Sequence, residues 1–415
     1  MSTLAHPLPA IEGHVVLVVN AGSSSIKCSV YRVVDDPQAE GGARAILGAG
    51  GQIEAIGVTP RVVAHMADGR LIVDETFPVA QVSDHDAAFR LLRLVLAVGL
   101  RDTPPAAIGH RVVHGGAHHA DAVLIDDAVI EELDALTPLA PLHQPHNLEA
   151  IRAVRAAAPD LVQVACFDTA FHARAGVLAK LFALPYSYYE NGIHRYGFHG
   201  LSYEYIARRL HTVAPEIARG RVIVAHLGNG ASLCAMQDGK SVETTMGLTA
   251  LDGLPMGTRC GALDAGAVLW MMARGMSRDD IEKTLYQESG LKGLSGISSD
   301  MRELLASDSE RAKLAIEFFT YRIAQDIGKL AVTLGGLDGV VFTGGIGEHA
   351  APVREAVCAR LKGLFGIDVD HDANAANKLR IDAHGSRVPV FAIPTDEEGM
   401  IALHTARILR DSHKG

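Results

Sequence analysis

The chain has 415 residues, 48% of them apolar and 21% charged, with a formal net charge of −10. That balance excludes wholesale disorder and a global nucleic-acid footprint, so an anionic substrate must be held by locally placed Arg and Lys. Aromatics make up 5% while glycines number 42, which suits an α/β enzyme with many tight turns better than an aromatic-rich β-sandwich.

Residues 1–14 contain two prolines, no Lys or Arg and no apolar core, and read as a flexible lead-in, not a signal peptide. Val15–Val19 has the composition of a strand buried on both faces. After Asn20 comes the small-residue turn Ala21–Ser25, and then Ile26, Cys28 and Val30 alternate with Lys27, Ser29 and Tyr31 as a half-buried strand. Helical spacing runs from Asp84 to Leu100 and from Leu148 to Ala158, with a strand at Ala107–His114 between them. The longest apolar runs, Val15–Val19 and Leu94–Leu100, fall far short of the ~18 residues a membrane span needs.

The second half opens as the first does. Val222–Leu227 reads as a strand, Gly228-Asn229-Gly230 as its turn and Ala231–Met236 as the return, with Asp238-Gly239 leading to a third strand at Lys240–Thr244. Asn20 and Asn229 lie 209 residues apart (229 minus 20), about half the chain, which suggests a duplicated two-domain architecture. Leu304–Leu334 follows as helix with a break near Ser307–Ser309. Gly339–Phe342 is then a strand before the turn Thr343–Gly347, and Val388–Ile393 is the last strand. A closing helix spans about Gly399 to Leu409.

Backbone N–H groups in a concave turn hold phosphate well, and only small residues let that backbone approach closely. Asn20–Ser25, His226–Ser232 and Thr343–Gly347 all have this composition after an apolar strand, although ordinary hairpins use the same residues. The P-loop pattern is absent, because Cys234 stands where its first glycine belongs before Gly239-Lys240-Ser241. Phosphoryl transfer also needs Mg²⁺ ligands and neutralising cations. Asn20, Asp168 and Glu397 each follow an apolar strand, and Arg111 and Arg259 lie among glycines, though Asp168-Thr169 equally suits a helix cap.

A zinc reading of the histidines fails on geometry. His110 and His114 lie in a strand pattern, which puts them about 13 Å apart at ~3.3 Å per residue. His143 and His146 have no third ligand nearby, whereas His199 sits among small and aromatic residues that suit either a lined pocket or a structural histidine. Five scattered cysteines without C-x-x-C spacing argue against disulfides and structural zinc, and for the cytoplasm.

The segments VVNAGSSSIK, GHRVVHGG, LAPLH, CFDTAFH, RYGFHG, HLGNGAS, GLPMGTRCG, SGLKGLSGISSDMR, VVFTGGIGEH and IPTDEEGMIA resemble, in order, the motifs of the acetate kinase family. The resemblance covers residues 15 to about 403. It implies an α/β fold of the actin, sugar-kinase and chaperone ATPase superfamily: two duplicated actin-like (ribonuclease H-like) domains with an interdomain ATP cleft. The implied domains are 15–169 plus 397–415, and 170–396.

The implied reaction is reversible, Mg²⁺-dependent transfer from ATP to acetate, with Mn²⁺ able to replace Mg²⁺. Asn20 and Glu397 would bind the metal, and Lys27 would contact ATP. Arg111 would hold the carboxylate substrate and Asp168 would be the catalytic acidic residue, while His199 and Arg259 would stabilise the transition state. His226, Leu227, Gly228, Asn229 and Gly230, then Asp300, Met301 and Arg302, then Gly345, Ile346, Gly347, Glu348 and His349 would line the nucleotide. Val113, Leu142, Phe198 and Ala250 would enclose the methyl group. Partners are limited to acetate, ATP and a second copy of the chain, with neither nucleic acid nor membrane.

Departures from the family pattern leave nucleotide and acyl-chain preference open. Gln144 and His349 replace Asn, Ala250 replaces Pro, and Leu201-Ser202-Tyr203 replaces Thr-Ser-His. After His172, Ala-Arg-Ala-Gly stands for Gln-Thr-Met-Pro. The rival readings are a propionate or butyrate kinase with the same machinery, and a non-catalytic actin-like ATP-binding module.

Overall fold

The computed structural model describes residues 13–22, 25–84, 87–92, 95, 104–141 and 143–412. Contacts divide the chain into two compact units, Met1–Ala170 with Asp396–Gly415, and Phe171–Thr395. Most of the lead-in, part of the expected Asp84–Leu100 helix, Ser23-Ser24 and Leu142 lie outside the described residues.

The first unit is built on an eight-stranded sheet, order β5-β4-β3-β2-β1-β6-β8-β7. Its strands are β1 (His14–Ala21), β2 (Ile26–Asp35), β3 (Ala43–Glu54), β4 (Arg61–Met66), β5 (Leu71–Thr76), β6 (Ala107–Val112), β7 (Val123–Leu124) and β8 (Val162–Phe167). β1 is central, antiparallel to β2 and parallel to β6, and Val15–Val19 are all buried, as a strand covered on both faces requires. Helix Glu397–Ser412 packs on this sheet, and the approach is so close that a Cβ at Gly109 would collide with Thr405 and Ile401.

The second unit carries a five-stranded sheet, order β11-β10-β9-β12-β13. Here β9 is Arg221–Leu227, β10 Ala231–Gln237, β11 Lys240–Thr244, β12 Gly339–Thr343 and β13 Val390–Ala392. β9 is antiparallel to β10 and parallel to β12, and β13 continues parallel to β12. The order and directions of β11-β10-β9-β12-β13 repeat those of β3-β2-β1-β6-β8, so the duplication expected from spacing is present as topology. Helix Gly200–Val213 and strands β9, β10, β12 and β13 close one core around Tyr203, Leu210, Val224 and Phe391. The Asp238-Gly239 turn takes positive φ at both residues (54° and 68°), the conformation a two-residue hairpin favours.

Several expectations need correction. β2 is not half-buried: Ser29 and Tyr31 are covered as well, because their hydroxyls engage carboxylates described below. The run β3–β5 carries no clean apolar alternation, so the meander escapes a periodicity reading. Thr343–Gly347 is not an open turn but leads into helix Gly344–His349. Helix Gln144–Ala157 begins before Leu148, since Pro145 is well tolerated in a first turn. The last helix begins at Glu397 instead of Gly399, which places both Glu397 and Glu398 in its first turn. The break at Ser307–Ser309 separates helices Met301–Leu305 and Glu310–Leu334.

Candidate active site

In the first unit the strand ends converge on a partly buried ion-pair cluster. Arg111, at the end of β6, places Nε 3.0 Å from Asp168 Oδ1 and Nη2 2.7 Å from Oδ2, a two-bond fork. Asp168 follows directly on the parallel neighbour β8 and is 1% exposed. Arg111 Nε also lies 3.8 Å from Glu397 Oε2. Burial works against the Arg111 charge, but the carboxylates of Asp168, Glu397 and Glu398 hold it protonated. Paired this way, the guanidinium is a fixed planar cation suited to recognising a carboxylate or phosphate.

The first turn of the last helix supplies the remaining acids. Asp396 caps the helix, its Oδ1 accepting from Gly399 N at 2.8 Å and from the Tyr31 hydroxyl at 2.8 Å. Glu398 takes Lys27 Nζ at 2.7 Å on one oxygen and the Ser29 hydroxyl on the other. Lys27 therefore sits beside the acids, and Asn20 faces it across the β1–β2 pair. Burial, reinforced by Asp168 and Glu398, keeps the Glu397 carboxyl above the usual carboxylate range despite Arg111. Such a site favours an added cation.

That donor set fits Mg²⁺, which is commonly held by one or two carboxylates together with substrate phosphates. Among the described residues, no group of three or more His, Cys, Asp or Glu is arranged to hold a metal unaided. His110 instead bonds Gln163 Oε1 through Nε2 at 2.8 Å.

Two amides to which sequence reasoning gave no role hold the loop after β6. Asn147 accepts from Val113 N at 3.0 Å and donates to Ala21 O at 2.8 Å, tying the ends of β1 and β6 together. Gln144 accepts from His114 N at 3.3 Å and donates to His114 O and Leu133 O. Val113 is fixed by this lacing and is 5% exposed. The signal for Ser29, Tyr31 and Glu398 was legible in principle: polar residues between the apolar ones of a strand, and an acidic triplet opening a helix.

In the second unit His199, Arg259 and the Gly228-Asn229-Gly230 turn come together. A Cβ on Gly230 would lie 3.2 Å from His199 Nε2 and 3.4 Å from Arg259 Nη2, so both reach over the bare glycine. His199 has φ 59° and precedes helix Gly200–Val213, and its ring stacks on His226 at 4.2 Å and 19°. Arg259 Nη1 donates to Ala250 O at 2.8 Å, so the described bond of Ala250 is made by its backbone. Phe198 is buried, and its carbonyl oxygen lies 3.0 Å from His172 Nε2.

The nucleotide-lining expectations fall on one end of the second sheet. Thr343 pairs with His226 across β12 and β9. Gly344, at φ 75°, packs so closely on Leu227 that a Cβ would lie 2.8 Å from its carbonyl oxygen. Gly345 has open space where its Cβ would be, Gly347 is buried, and Ile346 and Glu348 are partly covered between them. Glu348 Oε1 accepts from the Gly344 and Thr395 amides, at 2.9 and 3.2 Å. His349 is exposed.

The Asn229 turn is fastened by Gly257 N donating to Asn229 O at 3.0 Å. A Cβ at Gly257 would also lie 3.3 Å from Ser299, next to Asp300. Asp300 caps helix Met301–Leu305 through Arg302 N and pairs with the Arg302 side chain, which holds its carboxyl down to about 2. Met301 and Leu227 turn into the core, so of these segments Asp300, Arg302 and the glycine turns offer polar groups to a ligand.

The sequence profile of the Acetokinase family matches residues 15–403. The chain is 50% identical to the acetate kinase of Nitrobacter hamburgensis over 397 residues, covering 95% of this chain and 96% of that one. It is similar to the crystal structure of a propionate kinase from Francisella tularensis, with TM-score 0.86 and 36% identity over 95% of this chain and 100% of that one. It also resembles the Porphyromonas gingivalis acetate kinase structure, with TM-score 0.83, 35% identity, and 96% and 100% of the two chains covered.

Proposed function

Because the chain belongs to the acetokinase family, we propose that it transfers the γ-phosphoryl group of ATP reversibly to acetate, giving acetyl phosphate and ADP. It is a phosphotransferase with a carboxyl group as acceptor. An acetate oxygen attacks the γ-phosphorus in line. The new O–P bond forms as the bond to the β,γ-bridging oxygen breaks, and ADP leaves. The attacking carboxylate is already ionised at neutral pH, so no base is required. Catalysis is then positioning and charge stabilisation.

The observation that carries this reading is the Arg111 fork on buried Asp168 beside Glu397. In it, Arg111 binds the acceptor carboxylate with the donors that Asp168 leaves it. Asp168 orients that guanidinium and takes no proton. The family resemblance assigns the contacts with the methyl group to Val113, Phe198, Ala250 and Leu142, the last of which lies outside the described residues. His199 and Arg259 donate to the equatorial oxygens of the migrating group, and Lys27 contacts ATP.

The turn His226–Gly230, the cap Asp300–Arg302 and helix residues Gly345–His349 hold the nucleotide. Asn20 and Glu397 hold Mg²⁺, or Mn²⁺ in its place, which when bound offsets phosphate charge. We place the enzyme in the cytoplasm as a homodimer.

A short-chain acid panel in an ADP-forming assay with hydroxamate trapping tests the proposal. Acetate-dependent ADP release with trapped acyl phosphate is expected, and absence of any acid-stimulated ADP release would leave the non-catalytic ATP-binding module in its place. A second reading, propionate kinase, draws on Ala250: a small side chain there leaves room for a methylene, which a hydrophobic pocket discriminates by only ~1–3 kcal/mol. Propionate turning over with higher kcat/KM than acetate would select it.

A further inference from the structure

We propose that Tyr203 and Ser232 are positioning residues that fix the hydrogen-bonding state of His199, so that its Nε2 presents an N–H to the transferring group. This rests on the role given to His199 above. His199 Nδ1 lies 2.8 Å from Ser232 Oγ, and the same oxygen lies 2.5 Å from the Tyr203 hydroxyl. Ser232 and Tyr203 are both 0% exposed, so the two groups behind His199 are sealed inside the fold, while His199 itself is 9% exposed. Buried polar groups must find partners, and here each one fixes the next.

The direction of the chain follows from donor strength. A phenol is far more acidic than an aliphatic alcohol, so Tyr203 donates its proton to Ser232 Oγ. Ser232 has a single proton and passes it as a donor to His199 Nδ1. A neutral imidazole that accepts at Nδ1 carries its own proton at Nε2. Nε2 is the nitrogen that reaches over Gly230 beside Arg259 Nη2. An N–H and a guanidinium edge are thereby aimed at the same small region, as stabilisation of phosphoryl oxygens requires.

The backbone reinforces this placement. His199 is held at φ 59° at the entrance of helix Gly200–Val213, and the first turn of that helix supplies Tyr203. The same turn supplies Ser202, whose Oγ lies 2.8 Å from His226 Nδ1 and so fixes the ring on which His199 stacks. One helix start thus orients two adjacent imidazoles. Without the Tyr203 hydroxyl, Ser232 is able to accept from Nδ1–H instead, which turns Nε2 into an acceptor facing phosphoryl oxygen.

The test is steady-state kinetics on the full-length enzyme with Tyr203→Phe and Ser232→Ala, each alone and in a His199→Ala background. Each single variant is expected to lose ~10- to 100-fold in kcat, the scale typical of orienting partners, with KM for ATP and acetate within ~3-fold. In the His199→Ala background neither should cause a further loss. Thermal melts check folding, and if Tyr203→Phe does not fold, Ser232→Ala, which removes one oxygen, decides.

Wild-type kcat in both single variants beside a crippled His199→Ala overturns the positioning role alone. So does a loss that recurs in full without His199, because that is a packing effect. Wild-type kcat in His199→Ala removes the reading of His199 and the proposal with it.

Discussion

At Arg111 the shape of the side chain counts as much as its charge. The fork to Asp168 uses Nε and Nη2, an arrangement no lysine ammonium reproduces. Arg111→Ala and Arg259→Ala are each expected to lower kcat/KM by ~10²–10³, the usual cost of one preorganised donor, without lowering the melting temperature enough to unfold the enzyme. Arg111→Lys should recover little of that loss. Near-wild-type kcat/KM for acetate in either alanine variant would remove the corresponding role.

A different residue-scale effect belongs to His110, which is buried against Gln163 and whose imidazole burial pushes down to about 4. In the unfolded chain a histidine titrates near 6.5. Its contribution to stability is therefore complete above about pH 6.5 and is lost progressively as the pH falls toward about 4, because only the unfolded chain takes up the proton. The shift corresponds to roughly 3 kcal/mol at the acid end. Melting temperatures between pH 4.5 and 7 should fall less steeply toward acid in His110→Gln than in wild type. Parallel curves would show that His110 does not carry the effect.

At the scale of elements, helix Glu397–Ser412 decides where the acids stand. Its first turn carries Glu397 and Glu398, and Asp396 caps it while accepting from Tyr31. Glu397→Gln keeps the shape and removes one charge, so the Mg²⁺ concentration for half-maximal rate should rise at fixed free ATP. An unchanged titration would move the ligand role to Asp168.

Gly109 sets the depth of the same helix on the sheet. In Gly109→Val the side chain would press on Thr405 and Ile401, a strain of typically 1–3 kcal/mol. That variant should melt earlier and also need more Mg²⁺, since the acids move with the helix. A lowered melting point with an unaltered Mg²⁺ titration would separate the packing of the helix from its service to the acids.

This element also shows how far sequence reading reaches. The periodic pattern located the helix but began it at Gly399, because cap geometry depends on the partners of Asp396 and not on hydrophobic spacing. Strands β1, β9 and β12 were legible because their apolar runs are continuous. The β3–β5 meander and the paired partners of Ser29, Tyr31, Gln144 and Asn147 were not, since nothing local to those residues encodes a hydrogen bond made 30 or more residues away.

At the scale of the whole molecule, the repeated strand order gives each unit a sheet whose central strand runs out at a glycine, Gly22 after β1 in one and Gly228 after β9 in the other. Burial explains that economy, but it leaves helix Ala265–Ala273 unaccounted for. Its sequence AGAVLWMMA has no charge, and none of its residues is buried. Leu269, Trp270 and Met272 are 66%, 63% and 58% exposed, with Leu263 close by in sequence at 47%. A fully apolar helix is ordinarily a buried one, and contiguous apolar surface on a soluble protein marks an interaction site.

The homodimer proposed above is expected to use this face, since a self-complementary patch on two copies of one chain closes into a two-fold pair. Light scattering at micromolar concentration should give twice the chain mass for wild type. Trp270→Glu places a charge at the centre of the patch and should give the single-chain mass. A monomeric wild type would end the homodimer proposal, and a Trp270→Glu variant that stays dimeric would move the contact to another surface.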